Sequence, residues 1–141
     1  MASEFLRRPA IYVAGPMTGS GNPYENIGEA CRIATALWRA GWAPFIPHLN
    51  AVWSMVDPPH TSGRDWLTYD LQWVARCQAV ARFGGVSPGA DVEEAFADEH
   101  GIPVFRIPSF WKGTHEDDPD LVPAPLEEVE NWNARVDFAG G

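Results

Sequence analysis

The sequence predicts an α/β three-layer sandwich built on a small parallel sheet. Three observations lead there. Short, apolar, β-rich runs alternate with segments of helical period. Gly and Pro punctuate nearly every junction between them. The chain has 141 residues, 45% of them hydrophobic, which is enough for one buried core.

The first run, AIYVAG at residues 10–15, is continuously apolar and stops at Gly15-Pro16, the pattern of a strand buried on both faces. Ile27, Ala30, Cys31, Ala34, Leu37 and Trp38 then recur at i, i+3, i+4 and i+7, and Gly41 stands where a helix ends. WAPFIP, residues 42–47, predicts a short second strand whose prolines suit an edge. Residues 48–64, HLNAVWSMVDPPHTSGR, have no regular period and predict a long loop of the kind that often serves as a lid. A second helix over 65–77 sets Leu67, Leu71 and Val74 on one face. AVARF predicts a third strand, GGVSPG a turn, residues 90–100 a third helix closed by Gly101, and IPVFRI a fourth strand. Beyond Pro108 the chain is polar and punctuated by proline, with one helix expected over 126–134. The expected organisation is an α/β domain over 1–108 and an acidic extension over 109–141 that packs on that domain or on a neighbouring subunit. Strands alternating with helices imply parallel pairing. The expected strand order is 2-1-3-4 with a possible further edge strand, a flavodoxin-like or Rossmann-like arrangement.

Composition excludes several classes of partner. A formal net charge of −9 argues against long nucleic acid and against an anionic membrane, both of which need a basic face. Much of the acidity lies in the last quarter, where eight acidic residues between 116 and 137 face one base, Arg135. No run has the length of a membrane span, and MASEFLRRPA lacks an apolar signal core, so a cytoplasmic protein is expected. Cys31 and Cys77 fall in helical patterns as small buried thiols rather than a disulfide. Neither belongs to a Cys/His cluster, so no metal site is expected.

Candidate chemistry follows from topology. In a 2-1-3-4 sheet the loops after the first and third strands face each other at the switch point, where ligands bind. Those loops are GPMTG, residues 15–19, and GGVSPGADVEE, residues 84–94. Gly15, Pro16, Met17, Thr18 and Gly19 supply backbone groups for a phosphate or ribose. Ser87 is a good N-cap, Pro88 suits the first helical position, and Gly89 and Ala90 would present free amides at the positive helix end. Glu93 lies about one and a half turns in. On pattern alone, an ordinary capped helix with a solvated Glu is the simpler reading. Asp70 shares a helix face with Trp66 and Trp73, which suits either a carboxyl of raised pKa or a surface acid. Tyr12 reads as core. His48, His60 and Asp57 have no metal spacing. Arg64 and Arg82 would suit an anion, although surface roles are commoner.

Taken together, IYVAGPMTG, an Asp-bearing second helix, SPGADVEEA and GIPVF resemble the nucleoside 2-deoxyribosyltransferase superfamily over residues 11–107. The likeness is to its small phage and bacterial members and to the related 2'-deoxynucleoside 5'-phosphate N-hydrolases. The resemblance implies cleavage or exchange of the N-glycosidic bond of a (deoxy)nucleoside 5'-monophosphate by a retaining route. Glu93 would be the nucleophile, Asp70 would assist departure of the base, and Tyr12 would orient Glu93. Ser87 and the helix start would accept the 5'-phosphate, and Gly15 to Gly19, His48, Gly89 and Ala90 complete the substrate-binding set. It implies a small-molecule nucleotide or nucleoside as partner, no cofactor, no metal, and a homodimer or higher homo-oligomer with a shared active site. The chain departs from the family at Gln78, where an aspartate is usual. That departure favours an alternative, a non-catalytic nucleotide-binding module acting as sensor or sink. A flavodoxin-like cofactor protein fits less well, because the first loop lacks a Ser/Thr-rich phosphate cradle.

Overall fold

A computed structural model describes residues 8–17, 22–58 and 63–107. The expected extension over 109–141, its helix, and Thr18, Gly19 and His60 lie outside the described residues.

Four parallel strands form one sheet in the order β2-β1-β3-β4: β1 (Ala10–Ala14), β2 (Ala43–Phe45), β3 (Ala79–Arg82) and β4 (Val104–Arg106). This is the expected order. β1 and β3 are central and almost wholly buried, which is why they read as continuous apolar runs. β2 is an edge and carries Pro44, which has no N–H to give a further strand. Register pairs Tyr12 with Val80 and Ala14 with Arg82, so these four side chains share one face.

Helices cover both faces. On one, α1 (Pro23–Arg39) packs Ala30, Ile33, Ala34 and Leu37 against Ile11, Val13, Ala79, Ala81 and Phe83. On the other, α3 (Gly63–Val74) and α4 (Pro88–Glu99) pack Val74, Ala90 and Ala97 against Tyr12, Ala14 and Val80. The result is the expected three-layer sandwich. α1 begins four residues before Ile27, because the Asn22 side chain accepts the Tyr24 amide at 2.9 Å and Pro23 opens the first turn. Beyond its end, Gly41 takes φ +108°, a left-handed turn that sends the chain into β2.

Two expectations are corrected here. The expected irregular loop over 48–64 is regular at its start, and residues 59–62 lie outside the described residues. A 3₁₀ turn at Pro47–Leu49 leads into a further helix, α2 (Asn50–Val56). Its seven residues include no buried one, so it has no apolar stripe for a periodicity argument to detect. Cys77 is buried as expected but sits beyond the end of α3 rather than within it. Both cysteines are free thiols. Among the described residues, no helix is long and apolar enough to cross a membrane.

Candidate active site

The two loops at the switch point meet because small residues let them. A Cβ on Gly15 would lie 2.2 Å from the buried Phe83 ring, so only glycine permits this contact. Gly84, at φ +75°, faces Pro16 in turn, where an added Cβ would be 2.6 Å from the proline Cδ. The β1–α1 and β3–α4 loops are thus locked face to face above the sheet.

Beside that lock lies a cavity of about 640 Å³, within the usual range for small-molecule sites. Gly15 and Met17 line it from the first loop, and Ser87, Gly89, Ala90 and Glu93 line it from α4. His48 and Asn50 close it from the 47–50 turn, and Asp70 closes it from α3. The structure therefore brings together most of the expected set. Tyr12 stands behind this wall and Pro16 beneath it, each touching a lining residue.

Glu93 is buried, and the Tyr12 hydroxyl donates to its carboxylate. Burial pushes the Glu93 carboxyl from 4.5 up to about 8, against a lowering by the Tyr12 hydrogen bond and by Arg82. Asp70 is raised from 3.8 to about 7, also by burial, and its Oδ1 has no hydrogen-bond partner. Trp66 lines the cavity beside it, while Trp73 turns away to stack on Phe45 at 5.0 Å. Phe45 in turn stacks on Tyr12 at 5.7 Å, fixing the ring that holds Glu93. A buried acid and a half-buried one on the same cavity cannot easily ionise together, so they titrate as a pair.

Ser87 caps α4 as expected, its Oγ accepting the Ala90 amide at 3.3 Å. That corrects one detail, since the Ala90 amide is occupied by the cap rather than free. Gly89 has nothing within 4 Å of an added Cβ, so packing does not demand glycine there. His48 is buried and bonds the Pro16 carbonyl through Nε2 at 3.1 Å. As donor there, it keeps Nδ1 as an acceptor, and Nδ1 has no partner. Burial lowers the His48 pKa, so the ring is neutral at neutral pH.

Two residues escape the sequence reading. Asn50 lines the cavity with a buried, unpaired Nδ2, from a segment expected to be irregular. Arg82, expected at the surface, is only 5% exposed. Alternation along AVARF places it with Val80, and that signal was available. Gln78 lies at the opposite end of the sheet, where its Oε1 accepts the Ala10 amide at 2.7 Å and its own amide bonds the Ala10 carbonyl at 2.9 Å. The departure at Gln78 therefore falls on strand pairing and outside the cavity lining. Among the described residues, no His/Cys/Asp/Glu group has the arrangement of a metal site.

Solved structures share this fold. The 2-deoxyribosyltransferase of the psychrotolerant bacterium Bacillus psychrosaccharolyticus aligns with a TM-score of 0.53 at 19% identity, covering 93% of this chain and 94% of its own. A 2-desoxiribosyltransferase from Leishmania mexicana aligns with a TM-score of 0.49 at 17% identity over 70% of this chain, which spans 63% of that protein's length. No curated protein sequence matches the chain with significance. Residues 9–107, the whole of the sheet and its helices, match the family described as a domain of unknown function (DUF7768), and the chain belongs to that family.

Proposed function

We propose that the protein cleaves or exchanges the N-glycosidic bond of a (deoxy)nucleoside 5'-monophosphate, with Glu93 as nucleophile. One observation carries the reading: a buried glutamate, held by a tyrosine hydroxyl, opens on the same cavity as a second, half-buried acid whose Oδ1 is shut off from solvent. The ionised Glu93 carboxylate would attack the anomeric carbon as the C–N bond breaks, its electron pair passing to the base nitrogen. Asp70, which burial raises to about 7, would in its protonated form give its proton to the departing base. Water or a second base then attacks the glycosyl-enzyme and regenerates Glu93.

The start of α4 supports the phosphate end of the substrate. Its positive dipole end, the Ser87 hydroxyl and the open space at Gly89 all face the cavity. Met17 and Gly15 would support the sugar, and the proposed role of Thr18 and Gly19 extends the same loop. On the other wall the unpaired polar atoms of His48, Asn50 and Asp70 are groups that a heterocyclic base would satisfy. The similarity in fold to a 2-deoxyribosyltransferase is consistent with this assignment. A homodimer or higher homo-oligomer with a shared site belongs to the same proposal, and sedimentation measurements test it.

Incubation with paired nucleosides and 5'-monophosphates, with free base followed by chromatography, is the direct test. Intact-protein mass spectra during turnover are expected to show a glycosyl adduct that Glu93→Ala abolishes. Base release that survives Glu93→Ala would sink the nucleophile assignment. One observation favours the nucleotide-binding module instead: burial holds Glu93 mostly protonated at neutral pH. Nucleotide binding by calorimetry with no base release between pH 6 and 9 would establish that second reading.

A further inference from the structure

Arg82 ends the central strand β3, and its register with Ala14 puts it on the face that α3 and α4 cover. The guanidinium folds into the turn that follows. Its Nη1 donates to the Phe83 carbonyl, and its Nη2 donates to the Gly85 carbonyl at 2.8 Å and to the Asp91 carboxylate at 3.1 Å. One side chain therefore ties the end of β3, the β3–α4 turn and the first turn of α4 together. Its ionic partner is poorly placed to cancel the charge. The Asp91 side chain is 57% exposed, whereas that of Arg82 is 6% exposed, and the Arg82 Nε has no acceptor. A buried cation with a solvated counter-ion keeps much of its field inside the protein.

We propose that Arg82 is a positioning residue for the candidate site, bracing the turn that carries Ser87 and Gly89 and placing its charge on the same sheet face as Tyr12, which holds Glu93. The inference rests on the proposed reading only in treating Glu93 as the reacting group. Among the described residues, Tyr12 of β1 bonds Glu93, and Asp70 of α3 and Arg82 of β3 act on it through their charges. On α4 itself, Asp91 is taken by Arg82, and Glu94 is taken by Arg106 of β4. Cys77, which follows α3, acts on Tyr12, and its thiol is pushed up to about 12 by burial. His48, across the cavity, is neutral. Among the described residues, Arg82 is thus the cation whose charge acts on Glu93.

The test separates brace from charge in the full-length chain. Carbon-13 NMR of the glutamate side-chain carboxyls follows the Glu93 titration without any substrate, so it reads out even if no base is ever released. Arg82→Gln removes fork and charge and is expected to move the Glu93 midpoint upward by roughly half a pH unit or more. Arg82→Lys keeps the charge and loses the planar fork, so its midpoint is expected to stay near that of the wild type. Equal upward shifts in the two variants, or none in Arg82→Gln, would overturn the charge role. Should Arg82→Gln fail to fold, Arg82→Lys still decides it, because a full upward shift there contradicts the proposal. The brace is read from amide exchange in Asp91→Asn, expected to be faster at Gly85 and Val86 than in the wild type. Unchanged exchange at both overturns it.

Discussion

The two walls of the cavity are built on different physics. The wall formed by β1, β3 and α4 is fully engaged with itself. Ser87 caps the helix, Arg82 braces the turn, Tyr12 holds Glu93, and Gly15 lies flat against Phe83. The wall formed by the 47–50 turn and α2 is the reverse. His48 Nδ1 and Asn50 Nδ2 have no partners, no α2 residue is buried, and Val52, Met55 and Val56 are exposed at 61%, 79% and 79%. Satisfied polar groups hold reacting atoms in place, while unsatisfied ones wait for a partner that completes them. On the proposed reading, the first wall together with Asp70 of α3 serves chemistry and the second serves recognition.

The largest expected effect tests the first wall. Glu93→Gln is expected to lower turnover roughly ten-thousand-fold while keeping the fold, since the amide oxygen still accepts from Tyr12. It also tests linkage. Because burial raises the folded-state pKa from 4.5 to about 8, the native state holds its proton longer than the unfolded chain, and Glu93 costs stability as pH rises. Melting curves should therefore show Glu93→Gln more stable than wild type at pH 9, with the difference vanishing below pH 4.5.

Next comes the lock between the loops. Gly15→Ala places a methyl group inside the Phe83 ring contact, and a loss of about 3 kcal/mol is expected in denaturant unfolding. A near-neutral result would mean that the loops part easily, and the first wall would lose its claim to rigidity.

The acid pair gives a smaller effect with a distinctive shape. With Asp70 near 7 and Glu93 near 8, the pair carries one proton only in a narrow window between those values, mainly on Glu93, so the reactive form with Glu93 ionised and Asp70 protonated is the minor one there. Below it both acids are neutral and the nucleophile is lost; above it both are charged and the proton donor is lost. The rate is expected to peak there as a narrow bell. Asp70→Asn is expected to lower the peak about a hundredfold and to remove the alkaline limb. A bell that survives intact would place the proton donor elsewhere.

The smallest effect belongs to the second wall. Asn50→Ala removes an unpaired amide, so stability is expected to hold or rise. Ligand affinity is expected to fall about tenfold, with kcat little changed, as the loss of one hydrogen bond to a bound base predicts. A larger fall in kcat than in affinity would move Asn50 from recognition to chemistry.

How much of this was legible follows the same division. β1, α1, β3 and α4 each bury a face, and burial writes a period into the sequence, so their order, the Ser87 cap and the stops at Gly41 and Gly101 could be read directly. The 2-1-3-4 order also followed, because parallel strands alternating with helices leave few topologies. α2 buries nothing and so writes no period. Asn50 gave no signal for that reason. Arg82 misled by its residue type, since a charged side chain on a strand suggests solvent until carbonyls of the following turn are seen to receive it.

By itself, the sequence determined the alternation of elements, the two loops that meet at the switch point, and the identity of the acids near them. Each is a local or periodic property, set by residues a few positions apart. Only the tertiary structure decided that Glu93 is buried against Tyr12, 81 residues away, and that Asp70 lines the same cavity. It also decided that Gln78 sits at the far end of the sheet and Arg82 inside it. The physical reason is desolvation. A carboxyl group's proton affinity depends on how much water remains around it, and that is settled only when distant parts of the chain close over it.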